Sequence, residues 1–326
     1  MRRSEKSDDP LCSENVLPTP FFSVVIPTCD RAELLGEAVE SVLAQTCGDF
    51  ELIVVDDSPN DATKQVIESF ADNRIQYRLN CRTKGAAGAR NTGIFMARGK
   101  WIAFLDDDDV WLPEKLDCLF ARIHALPDDV GLVYSGCAFY DFDKGCVRWT
   151  FSPSQRGWLF DALLYKNCIG GFSNVVMRAD LLRRIDGLDE TFVAYQDGEL
   201  YVRVAQVAKI DFVDDVLVYI RSSNADRIST NRSGKSAAVL SFAAKYENYI
   251  KEDKKLKHRW TSRLFAYALL QGQIGRVFQW LPWTLAGLIL DRKNIKWLIR
   301  IIAAEIKYSV QKALKKESRQ NVRIEI

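Results

Sequence analysis

The chain has 326 residues, 48% of them hydrophobic, which is enough to bury the core of one large or two small domains. A formal net charge of +2 gives no reason to expect nucleic acid as a partner, and no run reaches the ~18 consecutive apolar residues of a spanning helix. The eight cysteines form no C-x-x-C pair and no metal-ligand spacing, so they read as reduced thiols of a cytoplasmic protein without a zinc site. The polar start, Met1-Arg2-Arg3-Ser4, lacks the apolar stretch of a secretory signal. The charge is uneven: residues 251–326 hold 17 basic and 6 acidic side chains, while the first 250 hold 28 and 37. An acidic body with a basic tail points to an anionic surface facing the tail.

Residues 1–20 read as a polar lead-in. Phe22–Ile26 is predicted as a buried strand stopped by Pro27. Asp30 with Glu33 three positions on forms a capping-box start for a helix. Leu34, Leu35, Ala38, Val39, Val42 and Leu43 share one apolar face of that helix. A second strand over 51–55 ends in Asp56-Asp57; a helix near 61–70 and a short strand over 75–79 follow. Gly85-Ala86-Ala87-Gly88 opens a helix over about 89–97 that leads into a strand over 101–105. This alternation predicts a mainly parallel sheet flanked by helices, Rossmann-like in its first half. Ligands of such sheets bind beyond the C-terminal strand ends, where Thr28 and Asp30, Asp56-Asp57 and Asp106 to Asp109 converge.

The last of these clusters carries most of the chemistry. Trp101-Ile102-Ala103-Phe104-Leu105 runs straight into four aspartates. Like charges crowded at one strand end repel, and a divalent cation relieves that repulsion through the hard oxygen ligands it prefers. A solvated acidic loop is the plain alternative, disfavoured by the strand in front and Trp111-Leu112-Pro113 behind.

Residues 126–235 read as mixed strands and helices that complete the site, and the pattern from about 236 to 326 is helical. Within that extension, 277–290 is apolar and Trp-rich but too short to span a bilayer. Over 294–316, Ile295, Leu298, Ile299, Ile302, Ile306, Val310 and Leu314 share a face, with Lys296, Arg300, Lys307, Gln311 and Lys315 largely opposite. Such a basic amphipathic helix fits either an anionic membrane surface or packing on the preceding domain.

Val24-Val25-Ile26-Pro27-Thr28-Cys29-Asp30-Arg31, Leu52-Ile53-Val54-Val55-Asp56-Asp57, Gly88-Ala89-Arg90-Asn91-Thr92-Gly93-Ile94 and the run from Ala97 through Asp109 to Leu116 together resemble the family 2 glycosyltransferases of GT-A-type fold. The resemblance covers roughly residues 22–118 and extends loosely to Gln196-Asp197-Gly198-Glu199, where Gly198 and Glu199 replace the commoner aromatic residue and Asp. It implies an inverting transfer of a sugar from a nucleotide-diphosphate donor to an acceptor hydroxyl, with Mn²⁺ or Mg²⁺ as cofactor. The saccharide or lipid-linked acceptor would belong to bacterial surface polysaccharide synthesis, with the enzyme peripheral on the inner face of the cytoplasmic membrane. By the same resemblance Asp106 and Asp108 hold the metal, and Asp106 and Asp107 also face the donor. Asp57 and Asp30 meet the base, Pro27 and Thr28 line its pocket, and Lys84 and Arg90 lie near the diphosphate. Asp197 becomes the general base, with an ordinary helix N-cap as its plain alternative and a buried ion pair as that of Arg90.

Two other readings compete. Leu105-Asp106-Asp107-Asp108-Asp109-Val110 also satisfies the motif of haloacid-dehalogenase phosphohydrolases, but that family carries it on the first strand and at least three strands precede it here. A degenerate transferase-like domain that binds nucleotide or docks at a membrane is the non-enzymatic alternative. Gly234-Lys235-Ser236 resembles the end of a phosphate-binding loop, yet Ser229 stands where that motif needs Gly.

Overall fold

The computed structural model describes residues 19–222 and 232–270. The first half alternates strand and helix: β1 (Phe22–Thr28), α1 (Ala32–Leu43), β2 (Phe50–Asp56), α2 (Ala62–Glu68), β3 (Ile75–Leu79), α3 (Ala86–Met96) and β4 (Trp101–Phe104). β1 and β2 are buried along their whole length, which suits their β-branched runs to a sheet covered on both faces. β1 pairs in parallel with β2 and β4, and β2 with β3.

Pro27 does not stop β1. The strand continues to Thr28, with Pro27 opposite Val55 of β2. β4 pairs with β1 only up to Val25, so the missing proline N–H falls where no ladder partner is needed on that side. The expected capping box is also absent. Asp30 takes a left-handed φ of +53°, Arg31 holds the N-cap position, and no side chain caps the helix.

The second half is built differently. β5 (Val110–Trp111), α4 (Lys115–His124), β6 (Val130–Asp141), β7 (Cys146–Phe151), α5 (Phe160–Tyr165), a 3-10 turn (Phe172–Asn174), β8 (Val175–Arg178), α6 (Ala179–Arg184), α7 (Gln196–Ala205) and β9 (Lys209–Arg221) complete a nine-stranded mixed sheet. Its order is β3-β2-β1-β4-β8-β6-β9-β5, with β7 on β6. β8 is antiparallel to both β4 and β6, so β6 runs in the direction of β4. β7 pairs with residues 137–141 of β6, beyond the stretch that pairs with β8. It therefore stands over the C-terminal end of β4.

Strand alternation divides the core between the two faces. Val24, Ile26, Leu52 and Val54 pack under α1 and α4, while Val25, Ile53 and Val55 pack under α3, α7 and the helices that follow. Those are α8 (Arg232–Lys245), α9 (Glu247–Glu252) and α10 (Lys254–Leu270). Phe242 and Trp260 stack at 4.9 Å inside this core, and the Trp260 indole N–H donates to Leu164 O at 2.8 Å. The helices up to Leu270 thus share the core of the sheet. The segments 277–290 and 294–316 lie outside the described residues. No described helix is long and apolar enough to cross a membrane.

Candidate active site

A cleft of about 680 Å³ opens at the C-terminal ends of β1, β2 and β4. Its walls include Pro27, Thr28, Asp57, Lys84, Arg90 and all four residues of the aspartate run. Open-sheet geometry places a ligand site here, and the sequence clusters do meet at this edge.

The four aspartates divide by direction. Asp106, Asp108 and Asp109 each aim a carboxylate oxygen into one group, all within 4.8 Å of one another. Asp107 turns away: Thr28 Oγ1 donates to it at 2.8 Å and Arg31 Nη1 at 3.2 Å. Burial is the main reason its pKa rises to about 6, against the pull of Thr28 and Arg31. Asp109 is buried, and desolvation plus the charges of Asp106 and Asp108 push its pKa well up. The donor set is hard oxygen, and the carboxylates repel one another in a partly dry setting. A divalent cation fits both conditions. Asp109 joins the pair Asp106 and Asp108 named from the motif.

Several residues that no motif singled out hold this loop. Ser173 Oγ donates to Asp109 at 2.6 Å and accepts from the Asp106 amide at 3.1 Å, and the Trp111 indole N–H fixes the Ser173 carbonyl at 2.8 Å. The Arg221 amide donates to Asp109 Oδ1 at 3.0 Å and its Nε to the Asp108 carbonyl at 3.0 Å. Arg31 spans Asp107 and Asp108. Arg31 stood inside the quoted Cys29-Asp30-Arg31 motif. Ser173 and Arg221 lie 64 and 112 residues from Asp109 in sequence, and nothing local marks them.

On the opposite side of the cleft, Asp57 accepts from Asn80 Nδ2 at 2.7 Å and from the Gly85 amide at 2.8 Å. Gly85 opens α3 at φ +118°, a conformation that side-chain-bearing residues rarely adopt. The N-terminal turn of α3 therefore faces the cleft through Gly85, Ala86 and Ala89. The exposed Lys84 lies beside it. Arg90 lines the cleft, forms an ion pair with Asp106 and lies 4.2 Å from the Phe172 ring centroid. It is thus both the buried ion pair and a cleft residue. Asp30 is exposed and absent from the cleft wall; its carboxylate accepts from Asn60 Nδ2 at 2.9 Å.

Asp197 is not an N-cap. That position belongs to Tyr195 at φ +61°, and Asp197 lies in the first turn of α7. Tyr195 also explains Gly198, because a β-carbon there would meet its ring at 2.8 Å. Leu200, Tyr201 and Val204 face the core as the helical spacing requires, but Val207 lies past the end of α7 and is 46% exposed. Asp197 stands just behind the cleft wall. Asn167 Nδ2 donates both to Asp197 Oδ2 at 3.1 Å and to the carbonyl of cleft-lining Gly170 at 2.9 Å. Desolvation raises the Asp197 pKa, while the Gly198 amide and the Arg90 charge oppose the rise. Glu199 is buried and structural, gripped by Arg203, Lys245 and Tyr246 Oη, and it ties α7 to α8.

This geometry belongs to a known class of enzyme. Residues 23–185 match the model of glycosyl transferase family 2, half of the chain, and the protein belongs to that family of glycosyltransferases. It is 34% identical over 194 residues to the UDP-Glc:alpha-D-GlcNAc-diphosphoundecaprenol beta-1,3-glucosyltransferase WfgD of Escherichia coli, covering 60% of this chain and 73% of WfgD. It is 30% identical over 213 residues to the uncharacterised glycosyltransferase MJ1057 of Methanocaldococcus jannaschii, covering 64% of this chain and 72% of that one. Among solved structures, TarS 1-349 of S. aureus in complex with UDP-GlcNAc superposes with a TM-score of 0.61 at 18% identity, over 91% of this chain and 92% of that one. The mannosyltransferase PcManGT of Pyrobaculum calidifontis, in complex with GDP-Man and Mn²⁺, gives 0.56 at 19% identity, over 89% and 87%. Both share the fold.

Proposed function

We propose that the cleft binds a nucleotide-diphosphate sugar and transfers the sugar with inversion to an acceptor hydroxyl. The observation that carries this reading is the grouping of Asp106, Asp108 and Asp109 at the end of β4, on the same cleft as the N-terminal turn of α3. Asp57 sits two strands from this group, where it accepts hydrogen bonds and can orient a base. Lys84 and Arg90 face the diphosphate, and the N-terminal end of α3 favours negative charge there. Asp106, Asp108 and Asp109 would hold a Mn²⁺ or Mg²⁺ ion, which would supply Lewis-acid stabilisation of the charge that develops on the departing diphosphate. Asp197 takes the proton of the attacking hydroxyl as the new glycosidic bond forms and the old one breaks; its raised pKa suits a base. The glycines at 170 and 171 put no side chain on the wall before it.

WfgD acts, by its name, on a diphosphoundecaprenol-linked sugar. We take a lipid-linked saccharide as the acceptor class here, with residues 271–326 bringing the enzyme to an anionic membrane surface at the cytoplasmic face. The test is calorimetric titration of UDP, GDP, dTDP and CMP, with and without Mn²⁺, on the wild type and Asp108→Ala. We expect one diphosphate to bind tightly in a metal-dependent way, and Asp108→Ala to weaken it by about 10²-fold or more. No nucleotide binding at all would leave the degenerate, non-catalytic reading standing.

A further inference from the structure

The cleft has two chemically opposed walls. One is the aspartate loop. The other is built by Cys137 and Phe139 of β6, Trp149 and Phe151 of β7, and Ile220 of β9. The proposed donor chemistry uses none of these.

Strand periodicity explains the second wall. Trp149 and Phe151, two residues apart on β7, lie opposite Phe139 and Cys137 and so share the cleft face, while the register shift after Phe139 sets Val147 opposite Tyr140 and off that face. Trp149 lies directly opposite Phe139 in the β6–β7 register, and the rings stack with centroids 3.6 Å apart and planes 13° from parallel. Phe139 occupies one face of the indole. Even so, Trp149 is 53% exposed. A large, flat aromatic surface held rigidly against a second ring, half open to a cleft, is costly to leave in water.

Its place in the sheet says what belongs on it. β2, with Asp57 at its end, lies two strand positions from β4 on one side. β6 lies two positions from β4 on the other side, and β7 continues the β8 edge of β6 above the end of β4. At about 4.8 Å per strand, the base end stands roughly 10 Å to one side of the carboxylates and Phe139 about as far on the other, with Trp149 on β7 between Phe139 and the end of β4. A nucleotide seated by Asp57 with its phosphates at the carboxylates leaves the aromatic wall free, on the side from which a hydroxyl must arrive.

We propose that Trp149, backed by Phe139, is the stacking platform for the acceptor, and that its occupant is a pyranose ring laid with its C–H face on the indole. The polarised C–H groups meet the negative face of the ring system, while the hydroxyls point to the polar wall. A flat pair of stacked rings fits a six-membered ring better than a flexible isoprenoid chain, which needs a concave trough. The proposal rests on the donor reading above and names the acceptor class of that same cleft.

The test is saturation-transfer NMR on the full chain with UDP or GDP and Mn²⁺ present, using methyl glycosides of glucose, N-acetylglucosamine, galactose and mannose as probes. At least one glycoside shows transfer to the ring protons of one face. Trp149→Ala weakens its binding by about five- to tenfold, and Trp149→Phe restores part of the loss. Nucleotide titration of each variant reports that the fold is intact. Glycoside signals that do not change in Trp149→Ala, or the absence of any signal, overturn the proposal. A short polyprenyl phosphate that shields Trp149 where no glycoside does also overturns it, in favour of the lipid. Glycoside binding without nucleotide binding breaks the donor reading alone; nucleotide binding without glycoside binding breaks this inference alone.

Discussion

The two halves of the sheet solve the same problem by different means. Up to β4, each strand is followed by a helix that returns the chain, so every strand ends at the same edge and every post-strand loop adds to one site. Beyond β4, β8 reverses direction and β6 and β9 run long, 12 and 13 residues, with register shifts where they pair. The first half concentrates charge and backbone amides. The second supplies the apolar wall, the Ser173 and Arg221 anchors and the half-buried Asp197. A parallel βαβ array fixes where a ligand's phosphates go, and the irregular half is free to vary what the sugar is handed to.

If that division holds, substitutions on the acceptor side of the second half, away from the Ser173 and Arg221 anchors, should affect turnover without touching nucleotide affinity. Asp197→Asn is the strongest case. Removing a general base costs about 10²- to 10⁴-fold in kcat. The variant keeps the shape of the side chain, can still accept from Asn167 Nδ2, and leaves every residue on the Asp57 side in place. Steady-state kinetics paired with nucleotide titration reads both quantities. A variant with kcat within about tenfold of the wild type removes Asp197 from the proton transfer. Loss of nucleotide affinity would instead show that the halves are not separable.

The same contrast sets what the sequence disclosed. β1 to β4 were legible because buried β-branched runs, a helical apolar period and polar residues after each strand all agree within a few positions. The two errors there were local ones. Pro27 ends strands in general, but here it falls beside the end of β4; Asp30 resembled a cap, but its left-handed backbone turns it to Asn60. In the second half the signals are distant. Asp109 was in plain sight within its motif, whereas the partners that aim it, Ser173 and Arg221, reach it only through antiparallel pairing that no local period announces. Phe139 and Trp149 become one surface only through the β6–β7 register.

A residue at the seam sharpens the comparison further. Lys115 lies on α4, just after the aspartate loop, and donates to Ser135 Oγ on β6 at 3.2 Å. It is fully buried, and desolvation lowers its pKa from 10.5 to about 7. Between these values the unfolded chain holds a proton that the folded protein has released, so this group makes stability rise with pH across that window. Below about pH 7 both states are charged and the burial penalty is complete. Lys115→Met removes the penalty, and its advantage over the wild type in urea unfolding should shrink by about 2 kcal/mol between pH 7 and about pH 9. An advantage that does not depend on pH would mean the ammonium stays charged, held by more than Ser135 and the Trp111 ring.

The smallest expected effect tests the edge of the site. Asp30 follows β1 directly, as the donor-binding residues follow their strands, yet its carboxylate is exposed and engaged with Asn60. Asp30→Asn removes the charge while keeping a side chain that tolerates the left-handed backbone and can still meet Asn60. If position 30 lies outside the donor contacts, nucleotide affinity stays within about twofold and stability within about 0.5 kcal/mol. A carboxylate that bonded the base would instead cost about tenfold or more in affinity, because hydrogen bonds to charged groups contribute about 1.5–3 kcal/mol. That larger loss would mean that the loop around Asp30 swings inward when the donor binds. The base pocket would then be assembled by the ligand rather than fixed in advance by Asp57, Asn80 and Gly85.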